Sequence, residues 1–112
     1  MSALPPAVGP IISSLARDAD MAELIEMYVD EMAGRAQSLR THFDSQHWKL
    51  LANEAHKIRG SAGGHGFEVI GGVAAQLEEH LRNAAGQEQQ IVQTVKQQVD
   101  ELIALCLRAK AK

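Results

Sequence analysis

One histidine of this 112-residue chain stands in a setting that suits nucleophilic chemistry. The stretch Ala55-His56-Lys57-Ile58-Arg59-Gly60-Ser61-Ala62 puts a cation three residues after His56 and a glycine four residues after it. On a helix, positions i, i+3 and i+4 share one face. The imidazole then stands beside the Arg59 guanidinium and a bare backbone patch at Gly60. An unperturbed imidazole titrates near pH ~6.5, so its neutral form is an available nucleophile at neutral pH. The adjacent cation suits a negatively charged group delivered by a bulky partner. Lys57 adds a second cation, although position i+1 points away from the histidine.

The elements that must hold this face are helices. All three prolines fall at positions 5, 6 and 10, so the rest of the chain lacks the strongest helix breaker. Pro10 could open a short helix over Ile11 to Ala16. Asp18 or Asp20 is then placed to cap the first long helix, with Leu24, Tyr28, Met32, Leu39 and Phe43 inward. A turn is expected near Asp44-Ser45-Gln46. From His47 to Gly63, the stripe Trp48, Leu51, Ala55, Ile58 and Ala62 faces the core. His56 lies off that stripe, with Ala52, Arg59, Gly60 and Gly63 on its own face. The run Gly63-Gly64-His65-Gly66 should end this helix and turn the chain. The next helix turns Phe67, Ile70, Ala74, Leu77 and Leu81 inward, and a break containing Gly86 follows. The last helix offers Ile91, Val95, Val99, Leu102 and Cys106. Four amphipathic helices on short connections predict an all-α, antiparallel up-down four-helix bundle with a short N-terminal helix. The whole chain, 1–112, reads as one domain, with 1–10 a flexible leading segment.

Composition narrows the function classes. The apolar fraction is 46% and the aromatic fraction 4%, so the core must be aliphatic. The net charge is -3, with no basic stripe for nucleic acid or an anionic membrane. Cys106 is the only cysteine, which excludes an intrachain disulfide and a thiolate cluster. Neither a secretory signal nor an apolar run near ~20 residues is visible, and the expected location is the cytoplasm. No Gly-x-x-x-x-Gly-Lys-Ser/Thr stretch or kinase nucleotide box occurs.

The segment Ala55 to Ala62, with Gly66 beyond it and Leu77-Glu78 on the next helix, resembles the histidine-containing phosphotransfer (HPt) domains of multistep phosphorelays. The resemblance covers roughly Ile11 to Lys110. It implies that His56 accepts a phosphoryl group from a receiver-domain aspartate and passes it to another receiver. Arg59 takes the position of a family lysine beside the phosphoryl group. Gly60 matches a glycine that clears space beside the histidine. Glu78 matches a Gln or Glu that hydrogen-bonds the ring. Such a bond to Nδ1–H fixes the tautomer and leaves Nε2 free to attack. The implied partners are response-regulator receivers and a hybrid sensor histidine kinase, docking over Ala52, Lys57, Gly60 and Gly63. No cofactor or metal is expected on this chain, since Mg2+ would arrive with the receiver. A monomer is the simpler expectation, because the motif must remain reachable, and the missing nucleotide motifs imply no autokinase activity.

Plainer readings exist for each residue. Glu78 also has Arg82 at i+4, and Glu78-Glu79 reads equally as a solvated face. His42, His47 and His80 read as surface or helix-end residues, and His65 as an exposed turn residue. A di-iron bundle would need Glu-x-x-His pairs, which are missing. A helical adaptor with a chemically silent His56 shares the fold and is separated only by experiment.

Overall fold

The computed structural model describes residues 9–112, so most of the expected flexible leading segment lies outside the described residues. Four helices dominate: α1 (Ala22–Asp44), α2 (Trp48–Ala62), α3 (Glu68–Asn83) and α4 (Val92–Arg108). Helix α1 packs on α2 and α4, and α3 packs on the same two, which closes a ring of four. The fold is an all-α four-helix bundle, as the periodicity predicts.

The helices form because each presents an apolar stripe at three- and four-residue spacings. Helix α1 buries Ile25, Tyr28, Met32, Ala36 and Leu39. Helix α4 buries Val95, Val99, Leu102, Leu105 and Cys106. Each fully buried aliphatic side chain contributes about 1.5–3 kcal/mol of transfer free energy. Burial pushes the Cys106 thiol up to about 12, so it serves as a small apolar residue. Leu24 departs from the expected stripe and is 50% exposed. The core row starts at Ile25, and one residue of helix turns Leu24 about 100° away from it.

Between α2 and α3 the turn forms as expected. Gly63–His65 make one 3-10 turn, and Gly66 follows with φ 84°. That left-handed conformation favours glycine. A Cβ at this position would also overlap Ser13 Oγ and come within 2.9 Å of the Ser14 and Leu15 nitrogens. Gln46, at φ 55°, and Gly86, at φ 86°, mark the other two turns.

The expected short helix over Ile11 to Ala16 is not formed. Ile11–Ile12 is instead a two-residue strand, β1, parallel to Ala109–Lys110, β2. The backbone N–H groups find partners elsewhere: Ser13 N donates to Lys110 O (3.2 Å) and Ser14 N to Gly66 O (2.8 Å). Ser13 Oγ donates to His65 O at 2.6 Å and accepts from Leu15 N at 3.1 Å. These bonds compete with a helical ladder, as serine side chains near the backbone often do. The aspartate cap fails for a related reason. Asp18 Oδ1 accepts from Asp20 N at 3.0 Å, which closes a local turn, and α1 begins at Ala22 without a side-chain cap.

Candidate functional site

Helices α2 and α3 make the most extensive of the helix contacts, and the site sits on their outer edge. Small buried residues, Ala55 and Ala62 on α2 and Gly71 and Ala74 on α3, keep the side chains between them short. A Cβ at Gly71 would stand 3.6 Å from Arg59 O and 3.7 Å from Ala62 Cβ, so the backbones pass close together. This spacing lets a short acidic side chain on α3 reach the ring of His56 on α2. Helix α1 supports α2 from the other side: Tyr28 Oη and Ser61 Oγ are 2.8 Å apart, and Ser61 Oγ also donates to Lys57 O at 2.8 Å.

His56 is 65% exposed through its side chain, while Glu78 is only 8% exposed. Nδ1 of the ring lies 2.9 Å from Glu78 Oε2. The same carboxylate accepts from Arg59 Nη1 on Oε1 (3.1 Å) and from Arg82 Nε on Oε2 (2.9 Å). Burial pushes the Glu78 carboxyl up, but the bonds from Arg82, His56 and Arg59 outweigh it and hold the group below the usual carboxylate range. An ionised carboxylate only accepts, so the proton of a neutral ring sits on Nδ1. Nε2 then carries the lone pair and is the nitrogen left for chemistry.

His56, Arg59 and Glu78 do come together. Glu78 is not a solvated residue: it takes the i+4 bond from Arg82 and the ring bond at once, while Glu79 stays exposed. Lys57, Gly60 and Gly63 are exposed near His56, and a Cβ at either glycine would meet nothing within 4 Å. No neighbour inside the molecule therefore requires glycine at 60 or 63. Ala52 corrects the expectation of an exposed contact residue, being only 3% exposed. With Trp48, Lys49, Leu81, Arg82, Ala85 and Glu88 it lines a groove of about 370 Å³ between α2 and α3. His65 is half-buried rather than exposed. Its ring stacks on Tyr28 at 4.2 Å, and Nδ1 lies 2.7 Å from Ser61 O. Arg82 was legible only as an i+4 neighbour; its second bond, to Asn53 Oδ1 at 3.3 Å, crosses between helices and has no local sequence signal.

Among the described residues, no group of three or more His, Cys, Asp or Glu is gathered for a metal. Among them too, no helix is long and apolar enough to cross a membrane. A family model described as Hpt domain matches residues 23–105, well over half of the chain. No curated protein and no solved structure matches.

Proposed function

The chain belongs to the Hpt domain family, and from that premise we propose that it is a phosphorelay intermediate that carries the phosphoryl group on His56. The observation that carries this reading is the exposed ring whose Nδ1 is bonded at 2.9 Å to a buried carboxylate. In the neutral ring that bond places the proton on Nδ1 and leaves the lone pair on Nε2.

In the forward step, Nε2 attacks the phosphorus of an aspartyl phosphate on a receiver domain. The Nε2–P bond forms as the P–O bond to the aspartate breaks, and the aspartate leaves as a carboxylate with its electron pair. The Nδ1 proton stays in place, so the ring becomes cationic and Glu78 offsets that charge. Transfer to a second receiver is the reverse of these bond changes. Arg59 supplies positive charge to the phosphoryl oxygens once it releases Glu78 Oε1. The catalytic divalent cation is expected on the receiver.

Docking fits the same face. Gly60 and Gly63 leave open space on the same helix, and the exposed Lys49, Lys57 and Arg59 of α2 add positive charge suited to an acidic pocket. The groove lined by Ala52 and Leu81 offers an apolar strip alongside. Receivers of response regulators and of a hybrid sensor kinase are the partners this surface suits.

The test is incubation with a phosphorylated receiver, followed by mass mapping. Acid-labile phosphate on His56, absent from a His56→Gln variant, is the expected result. Stable binding without any label would establish the adaptor reading instead.

A further inference from the structure

We propose that Arg82 is a positioning residue for His56, acting through Glu78; this rests on the reading of His56 as the phosphoryl carrier. The two arginines on Glu78 are not equivalent. Arg59 bonds Oε1, the oxygen that does not touch the ring. Arg82 bonds Oε2, the oxygen that also receives His56 Nδ1. Arg82 is tied a second time, through Nη2 to Asn53 Oδ1 on α2, three residues before His56. Its planar guanidinium thus spans α3 to the helix that bears the ring, a task a point-charged lysine performs poorly.

The consequence concerns the moment of transfer. Arg59 must leave Oε1 to meet a phosphoryl group on Nε2. A buried carboxylate stripped of its cations takes up a proton more readily. A protonated Glu78 would donate to Nδ1, the ring proton would move to Nε2, and the nucleophilic lone pair would be lost. Arg82 prevents this by staying behind on Oε2. The structure divides the labour: Arg59 is available to move with the phosphoryl group, and Arg82 keeps the carboxylate ionised and the tautomer fixed.

The test uses the full chain labelled with ¹⁵N-histidine, without a partner. In the neutral ring of the parent protein, the His56 nitrogens should report protonated Nδ1 and unprotonated Nε2. In Arg82→Met they should move toward the averaged shifts of mixed tautomers. Transfer from a phosphorylated receiver should fall roughly tenfold, the order lost when a partner orienting a histidine is removed. Its acid limb should also move to higher pH. Arg82→Lys keeps the charge and should restore most of the tautomer with less of the rate. Parent-like shifts and an unmoved acid limb in Arg82→Met, with its helical signal intact, would overturn the proposal. If Arg82→Met unfolds, parent-like shifts and rate in Arg82→Lys would overturn the required two-point span. A parent protein that shows the tautomer dependence yet gains no phosphoryl group would support the Arg82 role and refute the carrier reading alone.

Discussion

A single carboxylate organises the chemistry at the residue scale. Glu78 gathers three donors on two oxygens, and each donor has its own part. In the proposed mechanism the ring gains a fixed tautomer, Arg82 holds the anion, and Arg59 exchanges one anion for another. Lys57 is one step along the helix from the ring, so it contributes field rather than contact. Arg59→Ala should therefore slow transfer by on the order of 100-fold, the loss typical of a donor aimed at developing charge. Lys57→Ala should cost only a few-fold. Single-turnover rates with one phosphorylated receiver compare the two directly, and equal losses would remove the i+3 cation from the mechanism.

Two glycines of similar appearance have opposite meanings at the scale of elements. Gly60 lies inside α2, and a Cβ there meets open space. Gly60→Ala should stabilise the helix by about 0.5–1 kcal/mol, the entropy recovered on leaving glycine. Gly60→Glu should retain normal helix content but block transfer, because bulk and negative charge would stand where a receiver must approach. Normal transfer by that variant would end the close-docking argument. Gly66 is different. It takes φ 84° and holds the α2–α3 turn against Ser13 and Ser14. Gly66→Ala should destabilise the fold by roughly 2–4 kcal/mol through backbone strain and overlap. Urea unfolding of both alanine variants would show opposite signs, and a neutral Gly66→Ala would contradict the packing described.

For the whole molecule, the charges that define the site also shape stability. Glu78 and Asp100 both have folded pKa values below their ordinary ones, 4.5 and 3.8. For Asp100 the causes are the bonds from Lys96, one turn away on α4, and from Arg40, which clips α4 to α1. A depressed carboxyl contributes stability that is complete above its unfolded pKa and is lost as pH falls through its folded pKa. The urea midpoint should thus hold steady near neutral pH and drop below about pH 4.5. Glu78→Gln should lose less between pH 6 and pH 3 than the parent protein, since it has no carboxyl to protonate there; an equal loss would show that Glu78 is not stabilised as described.

The four helices, most of their inward residues, the two glycine turns and the placing of His56 and Arg59 on one helix face were legible in the sequence, because they depend on spacing within one element; Leu24, expected inward, was not. A residue three positions away on a helix is a neighbour whatever the rest of the chain does. The family pattern added Glu78 as the ring's partner. Other features needed the tertiary structure. Ile11 to Ala16 became a strand and turns because its partners are Lys110 and Gly66, far away in sequence. Ala52 sank into a seam whose other wall belongs to α3. Arg82 gained its second anchor only when Asn53 was brought beside it. Local periodicity chose the elements and set His56 on an open helix face; the close approach of α2 to α3 decided which side chains surround it, since contacts between helices depend on distances that no single helix encodes.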